Sequence, residues 1–151
     1  MATEESEKIL ARAATGEALV LLLSDAERRI TRRLAQVLAD QDCTVERWRA
    51  LALLAHGDRH RMSELAEFTQ LPPASLTRLI DGMVADNLVH RKADPRDRRG
   101  VLVHITRRGL ALQRRLSERI AAENDAIFGE LDELEVAGLA ESLAGFITRL
   151  R

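Results

Sequence analysis

The chain has 151 residues, 46% hydrophobic and 31% charged, with a formal net charge of −1. That length points to one domain with a real core, and aromatics at 3% with no Tyr leave Leu, Ala, Val and Ile to fill it, which favours a mostly α fold with minor β content. The single Cys43 excludes an internal disulfide; no apolar run approaches the roughly 18 residues of a membrane span, and the acidic start lacks a secretory signal's basic and apolar regions. A cytoplasmic location without membrane contact is expected.

Charge is unevenly distributed. From Arg59 to Arg108 there are 10 Lys/Arg against 6 Asp/Glu, and from Arg91 to Arg108 the ratio is 7 to 2. A local basic region of this kind can contact several phosphates although the whole chain is near neutral.

In chain order, Glu4 to about Asp40 reads as a helix, with Val20, Leu23, Ile30, Leu34 and Val37 at three- and four-residue steps. Its apolar residues occupy more than one face, which anticipates contact with a second subunit. Asp40 to Cys43 is turn chemistry. Thr44 then N-caps a helix carrying Trp48, Leu51, Leu54 and Ala55, closed by Gly57 as an expected left-handed residue. Arg59 to Met62 is short enough for an edge strand. Ser63 to Phe68 is a helix with Leu65, Ala66 and Phe68 expected inward, and Gln70-Leu71 makes the turn.

Pro73 suits the first helical position, where its missing N–H costs nothing. Leu76, Leu79, Ile80, Met83 and Val84 form the expected buried stripe of this helix. Ser75, Thr77 and Arg78 therefore fall on the exposed side of its first turns, where Arg can clasp guanine O6 and N7 and hydroxyls can meet base edges or phosphates. An i,i+3 pair between Arg78 and Asp81 on a solvated face is the alternative reading of that arginine, and the two are compatible.

Asn87 tolerates a left-handed cap, and Leu88 to Lys92 and Val101 to Ile105 read as strands around a turn from Ala93 to Gly100. That hairpin projects Arg96, Arg98 and Arg99 toward solvent, with Asp97 placed to brace an arginine. Thr106 N-caps the next helix, which runs to about Gly129, and Gly109 permits close packing. Leu131 to Leu150 is a last amphipathic helix, with Val136, Leu139, Leu143, Phe146, Ile147 and Leu150 on one face. A helix, a turn, a polar-faced helix and an arginine-bearing hairpin make a winged helix-turn-helix at residues 44–109, between terminal helices at 4–40 and 110–151.

The runs Leu76-Thr77-Arg78-Leu79-Ile80-Asp81, Asp94-Pro95-Arg96-Asp97-Arg98-Arg99-Gly100-Val101-Leu102-Val103 and Ile105-Thr106-Arg107-Arg108-Gly109 resemble the multiple-antibiotic-resistance regulator (MarR) family. The resemblance implies a homodimer with interlocked terminal helices, two winged modules on adjacent major grooves of a pseudo-palindromic double-stranded DNA operator, and usually repression relieved by a small phenolic or anionic effector. By position, Asp97 and Arg99 match the family's Asp-x-Arg wing motif, and Ser75, Thr77 and Arg78 match recognition-helix positions. Pro72 departs from the Ser or Thr frequent before this helix, which puts one capping hydrogen bond and one phosphate contact in doubt. The family's pocket position makes Arg29, Arg33, Trp48 and His56 candidate effector-lining residues.

Cys43 has no activating neighbour in sequence except Arg47, so a redox switch is not the favoured reading. His56 and His60 have four-residue spacing, but no further Cys or His completes a metal set, and neither metal nor cofactor is expected. No nucleophile with a base, paired carboxylates or Gly-rich phosphate loop points to an enzyme. The rival from another class is a winged-helix module that binds a partner protein.

Overall fold

The computed structural model describes residues 16–57 and 59–150, apart from the side chains of Arg98 and Arg99. Its elements are α1 (Gly16–Ala39), α2 (Val45–Gly57), β1 (Arg59–Arg61), α3 (Met62–Thr69), α4 (Pro73–Ala85), β2 (Val89–Asp94), β3 (Asp97–Ile105), α5 (Arg107–Phe128) and α6 (Glu133–Arg149). The part of the first expected helix that precedes Gly16 lies outside the described residues.

Local chemistry sets most boundaries. After α1, Asp42 turns left-handed (φ 49°) and the Cys43 N–H returns to Leu38 O at 3.2 Å. Thr44 Oγ1 accepts from the Arg47 N–H at 3.2 Å, so α2 starts at the expected cap. Gly57 is the last residue of α2, and no glycine among the described residues has positive φ, so its expected left-handed role is not observed. Gln70 (φ 58°) takes the left-handed position after α3, and Asn87 (φ 56°) takes it after α4 as expected.

One core joins these elements. Leu38 of α1, Leu51 and Leu54 of α2, Leu65 of α3, Leu76, Ile80 and Met83 of α4, Val89 and Val103 of the sheet and Leu116 of α5 are all almost completely buried. At about 1.5–3 kcal/mol per buried aliphatic side chain, this cluster dominates the stability of the winged module. Two expectations fail at its margin. Phe68 is 49% exposed, and Thr69 is buried in its place with its hydroxyl donating to Leu65 O at 2.6 Å. Val84 lies outside the buried stripe, at 39% exposed.

The sheet is antiparallel, in the order β1-β3-β2. Arg59–Arg61 does pair as an edge strand, with His60 opposite Val103. The base of the wing is locked to α5 at Thr106, whose N–H donates to Leu88 O at 3.0 Å and whose hydroxyl donates to Asn87 O at 2.8 Å, while its Oγ1 accepts from the Gly109 N–H. Gly109 is obligatory there, because a Cβ would stand 2.1 Å from Leu88 O.

Beyond this core the fold thins out. None of the residues of α6 is buried, and α6 makes no substantial contact with another described element. Leu139 is 45% exposed and Ile147 57%, so the apolar face read from the sequence is present but uncovered in the single chain.

Candidate nucleic-acid interface

The two surfaces singled out in the sequence are the start of α4 and the wing, and both face solvent. Leu76, Ile80 and Met83 anchor α4 in the core, and their spacing turns Ser75, Thr77 and Arg78 outward, all exposed. Pro72 holds the N-cap position with extended backbone (ψ 149°) and no side-chain cap hydrogen bond, and Pro73 begins the helix. The capping bond that Ser or Thr would have supplied is thus absent, as Pro72 foretold. Thr77 Oγ1 donates to Pro73 O at 2.9 Å, so its hydroxyl hydrogen is already used, leaving lone pairs and a methyl group to offer.

Arg78 does not pair with Asp81. Arg91 of β2 takes that carboxylate at 2.5 Å, tying the wing to α4, and Arg78 has no ion-pair partner among the described residues. The alternative reading fails because Asp81 points toward the sheet, where a closer cation stands.

The wing is tighter than its sequence implied. Its turn is only Pro95-Arg96, since β2 continues to Asp94 and β3 begins at Asp97. The ladder pairs Ala93 with Val101 and then Asp94 with Asp97, so Arg98, Arg99 and Gly100 oppose no residue of β2 and form a bulge. Gly100 fits because a Cβ there would meet Asp94 Cβ at 3.0 Å and Asp97 O at 3.2 Å. Arg96 and Asp97 are exposed at the turn, and the side chains of Arg98 and Arg99 lie outside the described residues.

Sequence reasoning missed Asp94, a wing acid that is 6% exposed. Its Oδ1 accepts from the Arg96 N–H at 2.9 Å and its Oδ2 from Arg61 Nη2 at 2.7 Å. The Arg96 N–H, and after it the Arg61 guanidinium, hold this carboxyl below the usual Asp range against the opposing effect of burial. Only the Asp-Pro turn signature hinted at the first bond, and nothing local hinted at the second. A polar hollow of about 190 Å³ opens beside it, bordered by Arg59, Arg61, Glu64, Asp94 and Arg96.

The four effector candidates each have a neighbour in the single chain. Arg29 pairs with Asp25 of its own helix at 2.6 Å, and Arg33 pairs with Glu123 of α5. Trp48 packs partly buried against the core, and His56 Nδ1 lies 2.7 Å from Ala52 O. Cys43 is buried, and burial pushes its thiol up to about 11, which leaves almost no thiolate at neutral pH.

Two short helices joined by a tight turn, the second with a polar exposed start, and an antiparallel arginine-bearing hairpin define a winged helix-turn-helix protein. The family model described as "MarR family" matches residues 41–100. The chain is 30% identical over 132 residues to the uncharacterized HTH-type transcriptional regulator YhbI of Bacillus subtilis, covering 85% of each protein. A mutant MarR from E. coli complexed with operator DNA superposes with a TM-score of 0.73 at 26% identity, over 85% of this chain and 92% of that one. NadR in complex with 4-hydroxyphenylacetate gives a TM-score of 0.77 at 25% identity, over 83% and 89%. At that identity and coverage, the chain belongs to the MarR family of DNA-binding transcriptional regulators. None of the described helices is long and apolar enough to cross a membrane.

Proposed function

We propose that the protein is a homodimeric, sequence-specific repressor of the cytoplasm that binds a pseudo-palindromic operator and releases it when a small anionic effector binds. The observation that carries the DNA reading is the start of α4, where Arg78 stands exposed without an ion-pair partner among the described residues, beside Ser75 and Thr77. An exposed guanidinium with no ion-pair partner among the described residues is suited to an external acceptor, and guanine O6 and N7 offer a bidentate one. The uncapped N–H groups of α4 add a positive end that favours a phosphate. Arg96, Arg98 and Arg99, with Asp97 among them, would meet the neighbouring backbone or minor groove.

The exposed faces of α6 and of the first turns of α1, where Leu19, Val20 and Leu21 are in water, support pairing with a second copy. The bound phenolic acid in NadR supports an anionic effector here, for which Arg29, Arg33, Trp48 and His56 remain the candidates. Arg33 would have to leave Glu123 to receive it. Gel-shift titrations test the assignment. Arg78→Ala should cost roughly 1–3 kcal/mol and relax one base position, and Arg99→Ala should weaken binding evenly and flatten its salt dependence. Parent-like binding by both variants would remove these roles.

A further inference from the structure

We propose that Arg61, on the edge strand and outside both DNA-facing surfaces, is a positioning residue for the wing, acting through Asp94. The inference rests on the DNA-binding reading above and extends it to a residue that need not touch DNA.

Arg61 stands at a junction. It is the last residue of β1, opposite Leu102 of β3, and its backbone N–H donates to Glu64 Oε2 at 3.0 Å, which closes the first turn of α3. The same residue sends its guanidinium to Asp94 Oδ2, 33 positions later in the chain, at 2.7 Å. Asp94 in turn holds the Arg96 N–H and so shapes the two-residue turn that presents the wing arginines. It sits where the ladder register breaks, with Gly100 of the bulge folded tightly over its Cβ. The path therefore runs from the first helix of the helix-turn-helix, through one residue, to the tip of the wing.

Its counterpart is Arg91, three residues before Asp94 on the same strand β2, whose ion pair with Asp81 ties that strand to α4. Together the two ion pairs fasten β2 at two points, to β1 through Arg61 and to α4 through Asp81, so the wing tip and α4 are held in one spatial relation before DNA arrives. Preorganisation of this sort lowers the ordering cost of binding. Asp94 is almost fully buried, so its carboxylate must keep its partners or lose the arrangement.

Removing Asp94's charge gives a sign that separates this role from a direct contact. If Arg61 served only to touch phosphate, Asp94 would compete with DNA for it, and Asp94→Asn would bind DNA as well as the parent or better. A brace gives the reverse, because a freed wing binds less well despite carrying one negative charge fewer.

The probe is a duplex bearing the consensus that the full chain selects from random DNA. Asp94→Asn, Arg61→Gln and the double variant are titrated against it, with circular dichroism and dimer mass measured on each. The expected result is a loss of about 5- to 20-fold for each single variant, with no further loss in the double, since both remove the same connection. Parent-like or tighter binding by Asp94→Asn, or losses that multiply in the double variant, would overturn the proposal. Should Asp94→Asn misfold, parent-like binding by the more conservative Arg61→Gln overturns it alone, and a matching loss by folded Arg61→Gln, restored in part by Arg61→Lys, supports it. The parent and Arg78→Ala separate the two levels: a parent that selects no consensus fails the sequence-specific DNA reading itself, whereas a loss in Arg78→Ala beside an unaffected Asp94→Asn sinks only the brace.

Discussion

Gly109→Ala is the sharpest test of how the wing is fastened to the body. A Cβ at this position would lie 2.1 Å from Leu88 O and 2.9 Å from Ile105 Cγ1, so the start of α5 has to retreat by about 1 Å to restore an ordinary carbon–oxygen contact. That retreat strains the two bonds by which Thr106 holds the end of the α4 turn, from its N–H to Leu88 O at 3.0 Å and from its hydroxyl to Asn87 O at 2.8 Å. Losing them costs about 1 kcal/mol apiece, overpacking adds about 1–3 kcal/mol, and the better helix propensity of Ala returns about 1 kcal/mol. The net destabilisation is about 2–4 kcal/mol. With a urea m-value of about 2 kcal/mol/M, the unfolding midpoint should fall by about 1–2 M. Gly82→Ala is the control, since its Cβ would meet only Arg47 Nη2 at an ordinary 3.5 Å, and the same propensity gain should raise stability by up to about 1 kcal/mol. A Gly109→Ala midpoint at or above that of the parent would refute the packing described for this junction.

Three further outcomes are expected. Cys43, buried and with its thiol pushed up to about 11, should resist a thiol reagent at pH 7 in the native protein and react at once in urea; native-state labelling at the rate of a free thiol would contradict its placement. Asp94 and Glu64 are both held below their ordinary pKa, Asp94 chiefly by the Arg96 N–H and Glu64 chiefly by the Arg61 N–H. Because the unfolded chain takes up these protons first, their stabilisation is present above the unfolded pKa of roughly 4 and is lost as pH falls through the lower folded values. Urea midpoints should therefore fall more steeply with acid in the parent than in Asp94→Asn, and equal slopes would sever Asp94 from acid stability. Leu139→Glu, on the uncovered face of α6, should convert a dimer to monomers in light scattering while leaving the winged module folded; an unchanged dimer would place the interface elsewhere.

What could be read from the chain beforehand was what local chemistry encodes. Thr44, Pro73, Asn87 and Thr106 each act within a few residues of themselves, and the structure uses all four as caps or turn residues. Gly109 was legible as a close approach, though not what it approaches. The ion pairs were illegible because they join residues 10 and 33 positions apart, Arg91 to Asp81 and Arg61 to Asp94, and only the packing of the sheet on α4 and the strand order bring them together. The eight-residue α3 also misled: with so few turns to fix its face, a hydroxyl that can bond Leu65 O goes inside and Phe68 stays out. The effector candidates came from family position alone, and in the isolated chain Arg29 and Arg33 already have carboxylate partners.

Selection of bound sequences from random DNA, run in parallel on the parent and on Arg78→Ala, bears most directly on whether α4 reads base edges. The parent should enrich two inverted half-sites about one helical turn apart, roughly 10 base pairs centre to centre, and Arg78→Ala should recover the same spacing with preference lost at one position in each half. An identical motif from both proteins would contradict base reading by Arg78, and no enriched motif from the parent would contradict sequence-specific binding altogether.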